Sequence, residues 1–126
     1  MATVNPTISR NQAGGDDSIL VATWTPLTTA NADGATMKYP EWADRTFSVT
    51  GTFGAGGTLV IQGSNDGTNW FTLNSAAGAT AASFTAAGIK TMIELPLYVR
   101  PFISAGDGTT SLTVILVARR ANPLRP

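Results

Sequence analysis

Residues 58–73 read TLVIQGSNDGTNWFTL. Two short apolar runs, Thr58–Gln62 and Trp70–Leu73, flank Gly63-Ser64-Asn65-Asp66-Gly67-Thr68-Asn69. Asn and Asp bond to nearby backbone and tolerate turn conformations, and Gly67 supplies a positive φ without steric cost. The centre of the stretch is therefore a chain reversal, and its flanks are expected to pair as a β-hairpin.

The same grammar extends in both directions. Upstream, Arg45–Phe53 (RTFSVTGTF) sets Phe47, Val49, Gly51 and Phe53 on one face and Thr46, Ser48, Thr50 and Thr52 on the other, the period of a half-buried antiparallel strand. Gly51 inside that run marks a bulge or a close backbone approach. Ser18–Trp24 is a further β-rich run. Downstream, Ser83–Thr85, Ile89–Leu95, Tyr98–Ile103 and Ser111–Ala118 continue the pattern, with Asp107-Gly108 marking a turn before the last. That last run is apolar on both faces, as expected for a central strand or one packed under a neighbour. Pro96 and Pro101 are confined to edges, bends or bulges. Ala76–Gly88 is a low-complexity Ala, Gly and Thr stretch with Phe84 as its large anchor, and only Glu41–Arg45 suits a helical turn. These runs predict an all-β fold, an antiparallel β-sandwich or jelly roll of about eight or nine short strands. Trp24, Phe47, Phe53, Trp70, Phe84 and Phe102 are the expected core.

Residues 1–17 (MATVNPTISRNQAGGDD) show neither a helical nor an alternating period, and residues 121–126 (ANPLRP) hold two prolines. The expected organisation is an extended N-terminal arm over 1–17, a β-sandwich domain over 18–120 and a C-terminal tail over 121–126. Such segments become ordered by lying against a neighbouring subunit or the body of the domain.

Composition narrows function. The 126 residues include no histidine and no cysteine, which removes Ser-His-Asp chemistry, thiol nucleophiles, thiolate metal sites and disulfides. A carboxylate-pair hydrolase, a Ser-Lys dyad and an oxygen-ligated calcium site stay chemically open. Yet Asp16, Asp17, Asp33, Asp44, Asp66 and Asp107 all fall in expected loops or turns, with no spacing that suggests a glycosidase pair about 5–9.5 Å apart. Nothing places Lys38 or Lys90 beside a serine. The chain is thus expected to be no enzyme and to carry no cofactor or metal. Eight basic and eight acidic side chains cancel, which argues against direct nucleic-acid binding. No apolar run approaches the ~20 residues of a membrane span, and the N-terminus lacks the pattern of a signal peptide.

Charged residues make up only 13 % of the chain, about half the roughly 25 % usual in soluble domains. Such a surface suits a neutral extracellular-type β protein or, the reading taken here, a subunit largely covered by copies or partners. Candidate contact residues are Val4, Pro6, Ile8 and Arg10 in the N-terminal arm, Tyr39 and Trp42, and the basic cluster Arg119, Arg120 and Arg125. Tyr and Trp are enriched at interfaces. Trp42 is alternatively a stacking platform for a sugar ring. The run from Ser64 to Trp70 resembles the Asp-box hairpin of sialidase-like propellers, but departs from it because Asp66 and Gly67 are adjacent and the motif occurs once. A tight structural turn accounts for it.

Phe47-Ser48-Val49-Thr50-Gly51-Thr52-Phe53, Gln62 to Trp70, Tyr98-Val99-Arg100-Pro101 and the closing strand into Arg119-Arg120 together resemble a recurrent type of small tailed-bacteriophage structural protein. The resemblance implies a β-sandwich virion component, commonly a capsid decoration (cement) protein that assembles as trimers on the outer surface of the shell and contacts the major capsid protein. It carries no catalytic residues. The alternatives are a phage tail or baseplate component of the same fold and a carbohydrate- or receptor-binding β-sandwich module.

Overall fold

A computed structural model describes residues 3–11, 19–38, 43–76 and 80–119. Every regular element among them is a strand: β1 (Thr7–Asn11), β2 (Ile19–Thr28), β3 (Ala43–Thr52), β4 (Thr58–Ser64), β5 (Phe71–Thr72), β6 (Ser83–Phe84), β7 (Gly88–Thr91), β8 (Tyr98–Ala105) and β9 (Ser111–Arg119). They form two antiparallel sheets. One runs β1-β2-β9-β3-β7. In the other, β8 occupies one edge of β4 along its whole length, and β5 and β6 share the opposite edge in succession. The expected hairpin is present, with Gln62 opposite Thr72 and Gly63 opposite Phe71.

Alternation dictates the layering. Leu20, Ala22, Trp24 and Leu27 of β2, Phe47 and Val49 of β3, and Leu112, Val114, Leu116 and Ala118 of β9 all point inward. They meet Leu59, Ile61, Phe84, Val99 and Ile103 of the second sheet in one buried cluster, the arrangement of a β-sandwich. Trp24, Phe47 and Phe84 are buried as expected, with the Trp24 and Phe47 rings stacked at 6.4 Å. Phe53 and Phe102 only lean on the core, and Trp70 is half-buried.

The strip between β2 and β3 seals the second sheet. Met37 and Val99 exchange backbone hydrogen bonds of 2.9 and 3.0 Å, Gly34 N donates to the Pro101 carbonyl, and Ile103 N donates to Ala32. Pro101, which has no N–H to give, sits in this outer strand against an irregular partner, where a missing donor costs least. Trp24 Nε1 donates to the Ala35 carbonyl at 3.1 Å, which pins the strip to the core. Beyond Trp24 the β2–β9 register shifts, at a cis Thr25–Pro26 bond.

Two stretches carry strand beyond what their sequence announces. The segment read as an arm with no alternating period carries β1, whose residues from Thr7 to Asn11 pair with Thr23 to Ile19. Val4 also exchanges backbone bonds with Asp33 and Ala35 and packs on the core. An edge strand is held by its ladder to a single neighbour, so it needs no strong apolar pattern of its own. Of the stretch read as a helical turn, Ala43, Asp44 and Arg45 begin β3 instead, with Asp44 at φ 51° in a register shift against β9. This irregular start turns Arg45 inward, where it is 2 % exposed and its Nη1 donates to the Pro96 carbonyl at 3.0 Å.

Candidate interaction surfaces

Asp66 and Asp107 serve turns as expected, whereas Asp44, also expected in a loop or turn, lies in β3. Asp66 Oδ1 accepts from Ser64 Oγ and from the N–H groups of Thr68 and Asn69, while its Oδ2 accepts from Asn69 Nδ2 at 2.7 Å. The Asn69 and Thr68 N–H groups, with help from the Asn69 and Ser64 side chains, hold this carboxyl far below the usual carboxylate range. Asp107 accepts from the Thr109 hydroxyl and N–H and from the Ala55 N–H, and is pulled down to about 2. Glu94 is lowered by the Asn74 N–H, and burial lowers Arg45. Among the described residues, no group of three or more acidic side chains gathers as a metal site would require.

The outer face of the five-stranded sheet is of another kind. Register aligns Ile89, Ser48, Ile115, Thr23 and Thr7 in one row and Thr91, Thr46, Val117, Val21 and Ser9 in the next. Hydroxyls pair across strands, Thr25 with Thr113 at 2.7 Å and Thr46 with Thr91 at 3.4 Å. No charged residue occupies either row. Arg119 closes the face at one end, exposed and in register with Ile19 and Ala43. Ile89, at the β7 edge, is 67 % exposed.

The outer face of the second sheet is aromatic. Arg100 Nε donates to Gln62 Oε1 at 2.9 Å, which lays the guanidinium 4.2 Å from the Trp70 ring centroid and 5.7 Å from that of Phe102. Lys38 Nζ lies 5.6 Å from the Tyr98 ring. Trp, Tyr, Phe and Arg are the residues that interface cores favour. Composition alone did not reveal this stack, because it joins residues on separate strands.

The residues singled out from sequence divide accordingly. Val4 and Pro6 are half-buried, and Ile8 is 41 % exposed opposite Ala22. Arg10 stands opposite Leu20 in the β1–β2 register. Arg119 terminates β9. Tyr39, Trp42, Arg120 and Arg125 lie outside the described residues. No protein-family model and no curated protein matches the chain.

Proposed function

We propose that the chain is a non-enzymatic structural protein of a tailed-phage virion, a capsid decoration protein that sits between coat subunits on the outer surface and stabilises the expanded shell. The observation that carries this reading is the pair of uncharged rows of Thr, Ser, Val and Ile that spans all five strands on the outer face of the five-stranded sheet, with Arg119 beyond them at one end. Burying these rows costs little desolvation, because they hold no ion to strip of water. The sequence resemblance and the low overall charge support the same reading. At local threefold points of the shell, closed symmetry favours a trimer. Binding only the assembled shell stabilises it by mass action against internal pressure.

Copy number tests the proposal. Purified virions are separated into heads and tails and the chain is quantified in each. The expected result is a count comparable to the major capsid protein, confined to heads. A count of one or a few tail rings assigns the chain to the tail instead, and absence from both fractions overturns the virion reading.

A further inference from the structure

A cavity of about 480 Å³ opens beside β5, within the range of small-molecule sites. Its floor is apolar and close-set: a Cβ added to Gly63 would strike Pro96 and come within 2.6 Å of Leu73 Cδ2. At its mouth stands Phe71, 69 % exposed although it shares the inward face of the hairpin with Gly63. The hairpin turn and the 93–97 segment supply the polar rim, through Asn65, Asp66, Asn69 and Glu94.

The rim groups are fixed, and each keeps hydrogen-bonding capacity. Asn65 Oδ1 accepts from Leu97 N at 3.1 Å, which orients the amide and leaves Nδ2 as a donor. Asn69 spends Nδ2 on Asp66 and keeps its carbonyl oxygen as an acceptor. Glu94 takes the backbone N–H of Asn74 on Oε1 and its side-chain amide on Oε2, both at 2.7 Å, so each oxygen retains a lone pair. Among the described residues no Lys or Arg lines the cavity, and the two carboxylates repel anions.

We infer that this cavity binds a neutral hexopyranose, its apolar ring face on Phe71 and its hydroxyls on Asn65, Asp66 and Glu94. A pyranose presents one C–H face and a fan of hydroxyls, each able to donate and accept. Paired carboxylate and amide groups around an apolar floor answer that pattern. Phosphorylated, sulfated and uronic sugars are excluded by charge. The inference is independent of the decoration reading, since the lining is the same wherever the chain resides.

Amide NMR of the full chain tests it, with the methyl glycopyranosides of glucose, galactose and mannose as probes. At least one is expected to shift the Asn65 and Asn69 side-chain amides and the Gly63 N–H, with a dissociation constant on the order of 1–10 mM. Glucuronate and glucose 6-phosphate should bind at least about tenfold more weakly. Phe71→Ala removes the platform from an exposed position. Asn65→Asp keeps the acceptor for Leu97 but deletes the Nδ2 donor. Each should weaken binding about tenfold or more. The inference is overturned if none of the three glycosides moves the lining up to about 50 mM, or if both variants bind as the wild type does. It is equally overturned if Phe71→Ala lowers occupancy on phage heads while no glycoside binds, which makes the patch a protein contact.

Discussion

Asp107 Oδ2 accepts a 2.9 Å hydrogen bond from the backbone N–H of Ala55, joining the β8–β9 turn to the β3–β4 turn. The same carboxylate takes the Thr109 hydroxyl at 2.6 Å and the Thr109 N–H at 2.9 Å on its other oxygen. Thr110 Oγ1 completes the clasp by donating to the Phe53 carbonyl at 2.7 Å. One ionised side chain therefore fastens two loops at one end of the sandwich.

Because these donors favour the charged form, the carboxyl of Asp107 drops from 3.8 to about 2. A lowered carboxyl contributes stability that is fully present above its unfolded value and is lost as pH falls through the folded one. Thermal melts should therefore lose stability as pH is taken from about 4 to 2, and Asp107→Asn should flatten part of that slope. Asp66 and Glu94 are shifted the same way and contribute in the same direction. An unchanged slope in the variant would refute the assignment.

Gly51 has φ +121° and stands opposite Leu112, where an added Cβ would fall on the Ser111 carbonyl oxygen. Both the conformation and the space forbid a side chain. Gly51→Ala should cost about 2–3 kcal/mol in urea unfolding, whereas Gly56→Ala, whose Cβ would meet nothing within 4 Å, carries only the backbone penalty of about 1 kcal/mol.

Trp24→Phe keeps most of the buried ring but deletes the bond to the Ala35 carbonyl. A loss of about 1–3 kcal/mol is expected. The diagnostic readout is hydrogen exchange at the Gly34 and Met37 amides, which should quicken more than that at Leu116 in the sheet centre.

The Arg100–Trp70 contact is half-exposed, so its worth is modest. A double-mutant cycle of Arg100→Met and Trp70→Leu should return a coupling of about 0.5–1 kcal/mol. A coupling near zero would mean that the guanidinium is held by Gln62 alone.

Under the decoration reading, a single charge in the middle of the five-stranded face is decisive. Ile115→Lys lets the aliphatic stem lie over Ser48 and Thr23 and should change folding stability by about 1 kcal/mol or less. Occupancy on heads lacking the chain should nonetheless fall at least about tenfold, measured by gel quantitation after sedimentation. Full occupancy would remove this face from the interface.

Local chemistry made much of the fold readable. The Asn65-Asp66-Gly67 reversal, the alternation of Arg45–Phe53 and the two-faced apolarity of Ser111–Ala118 each carry their own signal, and each is where it was expected. What stayed hidden depends on partners distant in sequence. Thr7–Asn11 is polar enough to pass for a tail because its pairing with β2 runs through backbone groups. Ala43–Arg45 begins β3, and Arg45 is turned inward to the carbonyl of Pro96, 51 residues away in sequence. Trp70 reads as core, but a guanidinium from β8 covers one of its faces. The cavity beside Phe71 likewise needs the hairpin and the 93–97 segment brought together.

The place of β9 bears on how the chain is made. β2 and β3 follow one another in sequence, yet the strand hydrogen-bonded between them, β9, comes after every other described strand. Until residues 111–119 emerge, both strands present bare edges and apolar flanks, open to pairing with each other or with another chain. Synthesis must outrun such mispairing, and the five-stranded sheet closes only after translation of its centre. Pulse-labelled chains should accordingly resist protease only once residue 119 has cleared the exit tunnel, and then on the slow, millisecond-to-second scale of non-local β topologies.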